Sequence, residues 1–168
     1  MSESAQTPMK GAVKSAIEDQ IGREFYAGYL YLSMAGSFEA ANLTGFAHWM
    51  REQAKEERDH AIKLFDFLLE RGERVELQPI DAPPSSFRSA LDTFEQALEH
   101  EKEVTGHIND LYELAVKEQD HPARLLLNWF IQEQVEEENS ASEIVDRLAM
   151  AGDDTAAVLM LDREMGER

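Results

Sequence analysis

The sequence predicts an all-α protein: a four-helix bundle of two antiparallel hairpins joined by one long crossover, followed by a short fifth helix. Three observations carry this. Apolar residues recur at alternating three- and four-residue spacing through four long segments. Ala, Leu, Glu, Met and Gln dominate, and the five prolines fall at segment starts or between segments. The links between segments are short, long and short, in that order.

The first helix is expected from about Pro8 to Ala40, with proline in the first turn. The second runs from near Thr44, read as an N-cap, to Arg71 before Gly72. The third starts between Ser86 and Ser89 and ends near Asp120. The fourth has Pro122 in its first turn and ends near Gly152. The fifth spans about Asp154 to Met165, with Asp154 or Thr155 as cap and a stripe of Val158, Leu161 and Met165 that has to dock on something. Residues 1–168 read as one domain, with the crossover at about 72–86.

Short links around Asn42 and His121 make the flanking helices antiparallel neighbours. The middle link holds Pro79, Pro83 and Pro84. Its roughly 14 residues can reach about 45 Å, and a helix of about 28 residues is about 42 Å long. This link can therefore return the chain to the end of the bundle where it began.

Composition narrows the partners. A formal charge of −18, from 34 acids against 16 bases, repels nucleic acid and anionic lipid and attracts cations. Solubility alone also explains an acid excess. There is no cysteine, which removes disulfides, thiolate sites and Fe–S clusters and makes a cytoplasmic location the default. No apolar run is long enough to span a membrane, and Met1 to Thr7 is short and polar, unlike a signal peptide.

The chemistry lies in the core stripes. They read Val13, Ile17, Ile21, Glu24, Gly28, Tyr31, Ala35, Phe38; then Phe46, Met50, Gln53, Glu57, His60, Leu64, Phe67; then Phe87, Leu91, Phe94, Leu98, Glu101, Thr105, Ile108, Tyr112, Ala115; then Leu127, Phe130, Gln134, Glu137, Ala141, Ile144, Leu148. Each apolar face is interrupted near its middle by a carboxylate, an imidazole or an amide. Measured from the two short links, these interruptions fall at similar heights. The spacing also repeats: Glu24 to Glu57 and Glu101 to Gln134 are both 33 residues, and His60 and Glu137 each follow the second member by three. An i,i+3 pair shares one helix face, so both side chains can reach one centre. Buried carboxylates cost several kcal/mol each in desolvation, and no Lys or Arg sits in the stripes to offset it. Two divalent cations would, and an oxygen-rich set with one imidazole suits iron or manganese better than zinc.

These residues resemble the ferritin-like di-iron family, which is the type case of Glu and Glu-x-x-His ligands projecting into a bundle. The likeness is strongest to the non-haem ferritins of bacteria and archaea. It covers nearly the whole chain, through Glu24-Phe25-Tyr26 to Tyr31, Glu56-Glu57-Arg58-Asp59-His60, Glu99-His100-Glu101, and Trp129 followed by Glu133-Gln134-Val135-Glu136-Glu137-Glu138. The resemblance implies that Glu24, Glu57 and His60 hold one iron. Glu57 would bridge to a second, held also by Glu101 and Glu137, with Gln134 beside the centre. It places Tyr31 near the irons, although a core aromatic with a bonded hydroxyl fits that position equally. It gives Glu56, Glu133 and Glu136 to a third iron, although solvated acids would look the same.

The implied function is iron storage by a ferroxidase that passes electrons from Fe(II) to O2 or peroxide inside a cage of 24 subunits. The fifth helix would help close that cage, unless it packs on its own bundle. Haem is not expected, because Arg58 follows Glu57 where haem-binding relatives carry Met. The second pair, Gln134-x-x-Glu137, departs from the family by lacking a histidine. Glu118, Asp120 and His121 could line an ion entry, although loop tips are commonly polar. His48, His100 and His107 fall off the stripes and are expected at the surface. Two rival readings remain: another di-iron oxidoreductase, such as an oxygenase or manganese catalase, and a metal-free structural bundle.

Overall fold

The computed structural model describes residues 6–168. The reading of the N-terminus as free of a signal peptide lies, for residues 1–5, outside the described residues. Five helices follow in order: α1 (Gly11–Ala40), α2 (Thr44–Glu70), α3 (Ala90–Lys117), α4 (His121–Ala151) and α5 (Thr155–Met165). Among the described residues there is no strand, and no helix is long and apolar enough to cross a membrane.

The helix ends follow local chemistry. Ser89 caps α3 by accepting from Asp92 N at 3.0 Å. Asp120 caps α4 through Ala123 N at 3.0 Å, and Asp154 caps α5 through Ala156 N and Ala157 N. Two expected starts shift. Pro8 lies outside α1, whose N-cap is Lys10, and Thr44 is the first helical residue of α2 rather than its cap. Past the ends of α1, α2 and α3, Asn42, Gly72 and Gln119 take positive φ, the left-handed turn that releases the chain from a helix.

α1 packs against α2, α3 against α4, and α1 against α3, while the backbones of α2 and α4 stay further apart and meet through longer side chains. The crossover climbs along α1. Glu76 N donates to Glu18 Oε1 at 2.8 Å, Gln78 lies beside Gly22, and Ser33 Oγ donates to the Pro84 carbonyl at 2.5 Å. These three contacts ascend both segments together, which is the single long return expected from the link lengths.

The stripes of α1 and α4 face inward as read, apart from a half-buried Gly28. Two others differ in detail. At the end of α2, Leu68 is buried and Phe67 only half-buried. In α3 the inward set is Phe94, Ala97, Glu101, Val104, Ile108, Leu111 and Ala115; Leu98, Thr105 and Tyr112 flank it. Both sets obey three–four spacing. Only the direction of the neighbouring helices decides which flank turns inward. α5 lies on α2 and α4 of its own chain, with Leu161 buried and Val158 and Met165 packed against the core.

The core is two apolar clusters. One contains Val13, Ile17, Ile21, Leu64, Ile108, Leu127 and Phe130, and the other Met34, Phe38, Phe46, Met50, Phe94 and Ile144. The polar residues of the four stripes form a layer between them.

Candidate metal centre

Glu24, Glu57, Glu101 and Glu137 are at most 7% exposed, and His60 is 5% exposed. Each helix of the bundle supplies at least one of them, because each stripe carries its polar residue at the same height. Their ligand atoms form two groups, Glu24–Glu57–His60 and Glu57–Glu101–Glu137, with all atoms of a group within 4.8 Å of one another. Glu57 belongs to both. The structure thus brings together the five residues that the sequence reading assigned to two metals, and the shared residue is the one expected to bridge.

The electrostatics of the layer are unfavourable without cations. Glu24 Oε2 and Glu57 Oε1 are buried with no hydrogen-bond partner. No Lys or Arg pairs with the four carboxylates among the described residues. His60 Nδ1 lies 3.3 Å from Glu57 Oε2 but outside hydrogen-bonding geometry. Burial, then the charges of Glu24 and Glu101, push the Glu57 carboxyl well above the ordinary range. Burial likewise raises Glu101 and, with the charge of Glu101, lifts Glu137 to about 8. Oxygen donors, a single imidazole and two orphaned carboxylate atoms fit a pair of hard to borderline divalent cations.

Surrounding groups orient the carboxylates. Tyr31 is fully buried and its hydroxyl donates to Glu101 Oε1. Gln134 Nε2 donates to Glu101 Oε2 at 3.1 Å and to the Glu101 carbonyl at 3.2 Å, so its amide braces a ligand. Gln20 holds Glu24 Oε1 at 3.1 Å, and Gln53 holds Glu137 Oε2 at 2.7 Å across the gap between α2 and α4. The His60 ring stands edge-on to Trp129 and Phe130. The sequence reading placed Gln53 in a stripe without giving it a task, and it missed Gln20. An amide four residues from a core Glu was the available signal for Gln20, whereas the partner of Gln53 lies 84 residues away on another helix.

The acids assigned to a third metal sit just outside. Glu56, Glu133 and Glu136 line a pocket of about 400 Å³ that also reaches His60 and Glu137. Ligand atoms of Glu133, His60 and Glu137 form a third group within 4.8 Å. Glu56 instead pairs with Arg168, a residue the sequence reading did not single out.

Of the other candidates, Glu118, Asp120 and His121 line one pocket of about 580 Å³ at the α3–α4 link. Asp120 Oδ1 is engaged by Arg71 at 2.9 Å and by the α4 cap. Glu118 is half-buried and His121 exposed. His107 is exposed as expected, but His48 and His100 are half-buried. His100 packs on Tyr26, and burial lowers its pKa.

Comparison with known proteins adds a second line. The ferritin-like domain family matches residues 14–151. The chain is 39% identical to a bacterial non-heme ferritin of Staphylococcus haemolyticus over 91% of this chain and 92% of that one. It is 38% identical to one of Bacteroides fragilis, over 93% and 97%. Among solved structures it superposes with TM-score 0.94 on the open pore ferritin of the archaeon Archaeoglobus fulgidus. There the identity is 46%, covering 95% of this chain and 98% of that one.

Proposed function

This chain belongs to the ferritin family, and from that membership and the buried carboxylate layer we propose that it stores iron as a ferroxidase. Fe(II) is the substrate. One ion is taken by Glu24, Glu57 and His60, and another by Glu57, Glu101 and Glu137. The observation that carries this reading is the pair of ligand groups sharing Glu57, with no ammonium or guanidinium paired to them among the described residues.

Each residue has a task derived from its contacts. Burial disfavours the ionised forms of Glu57, Glu101 and Glu137 in the metal-free layer, and divalent ions entering it favour them. Tyr31 and Gln134 fix the two oxygens of Glu101, and Gln53 and Gln20 orient Glu137 and Glu24. The apolar clusters on either side exclude water and leave the polar pocket between α2 and α4 as the open face. The bound iron pair supplies two electrons, which with two protons reduce O2 to peroxide or peroxide to water. The outer acids Glu56, Glu133 and Glu136 hold a third ion on its way out of the layer.

The assembled form in this reading is a hollow homo-oligomer, with 24 copies as the expected number. Cytoplasmic storage and an absence of haem complete it. The filled core on both sides of the acids favours this over an oxygenase, which needs room for an organic substrate.

The test is stopped-flow oxidation of Fe(II) under air with wild type, Glu57→Ala and His60→Ala. Each variant should slow the fast phase by about 100-fold or more, because one loses the bridge and the other the only imidazole. Wild-type rates in both variants reject the assignment. Electron microscopy of iron-loaded protein should show cored hollow particles, and a small dimer would reject the storage reading.

A further inference from the structure

Arg168 sits at the edge of the outer acid pocket and is held there by several contacts. Its Nη2 donates to Glu56 Oε1 at 2.7 Å, and Nη1 reaches the Trp49 carbonyl at 3.4 Å. Its guanidinium lies over the Trp49 ring, 4.9 Å from the centroid, and its carbonyl is 3.0 Å from His48 Nε2. The side chain is 29% exposed, low for an arginine on an acidic surface. It is the only Lys or Arg among the residues lining this pocket. The same pocket reaches His60, which is 5% exposed and whose Nδ1 faces Glu57 Oε2 at 3.3 Å on the inner side. A fixed cation thus shares one acid-lined space with the ligand group of His60, Glu133 and Glu137.

We propose that Arg168 is a tethered counter-cation that competes with divalent metal for Glu56 and keeps ions in the outer acid group exchangeable. This rests on the outer iron position proposed above. A Glu56 oxygen bonded to the guanidinium has to leave it to ligate an ion there. Any ion seated nearby also meets the repulsion of a fixed positive charge. Both effects fall most heavily on the outer group, because Arg168 pairs with Glu56 and with none of the four inner carboxylates, although its charge also reaches Glu137. The outcome is a transit position from which iron moves on.

Binding of Zn(II), a redox-inert probe, to the full-length assembled protein by calorimetry tests this. Wild type would be compared with Glu56→Gln, Arg168→Gln and Arg168→Lys. Glu56→Gln should remove a weaker class of ions, which defines the outer group. Arg168→Gln should tighten that class by about three- to tenfold in roughly 0.1 M salt, with Arg168→Lys between it and wild type. The difference should shrink in roughly 0.5 M salt, and the tight class should shift less than the weak one. A structural role alone would move the melting temperature without this salt dependence. If Arg168→Gln matches wild type within twofold, weakens the outer class, or shifts both classes equally, the competition is overturned while the outer position stands. If Glu56→Gln removes no ions, the outer position itself is overturned, and the competition with it.

Discussion

Glu137 shows how a single residue registers the metal layer. Its carboxyl stands at about 8 in the metal-free chain because burial and the Glu101 charge disfavour ionisation, despite the opposing bond from Gln53. A carboxyl raised on folding stabilises the fold fully below its unfolded value of 4.5 and loses that contribution as pH rises through about 8. The melting temperature of metal-free protein should therefore fall between about pH 5 and about pH 8.5, and Glu137→Gln should flatten that slope. Thermal scans across the range check it, and an equal slope in the variant would contradict it. With Glu137 at about 8, divalent ions should displace protons on binding near neutral pH, and Glu57 and Glu101 shift in the same direction.

Among the elements, α5 shows how a short helix can be held by one close contact. Eleven residues are too few to be helical alone. α5 is fixed where Asp162 Oδ1 accepts from Phe46 N at 2.8 Å, at the start of α2. Gly45 allows that approach: a Cβ there would lie 1.6 Å from the Asp162 carbonyl oxygen. Gly45→Ala should displace α5 while leaving α1 to α4 folded. Limited proteolysis should then cut within residues 155–165, and native sizing should show impaired assembly. A variant as resistant as wild type would mean that α5 docks by another route. The interhelical contact was not legible beforehand, since nothing local in Thr44-Gly45-Phe46 reveals a helix arriving from 116 residues away.

At the scale of the whole molecule, the bundle leaves apolar surface uncovered. Tyr29 is 54% exposed, Leu32 51% and Leu77 63%, and they gather with Phe25 and Ile80 where α1 meets the crossover. A chain of charge −18 that keeps such a patch needs a partner surface for it. A second copy of the chain fits the proposed cage. Leu32→Glu would add an acid to that patch and should shift the particle to smaller species in native sizing. An intact large particle would place the interface elsewhere.

The sequence by itself determined the five helices, the single crossover and the residues of the buried carboxylate layer. Those depend on periodicity, link length and the cost of burying acids, all of which are local or nearly so. Tertiary structure alone decided which flank of α3 turns inward, that α5 lies on its own chain, and that Arg168 reaches Glu56. Each of these depends on how separate helices approach one another, and three–four spacing permits more than one such packing.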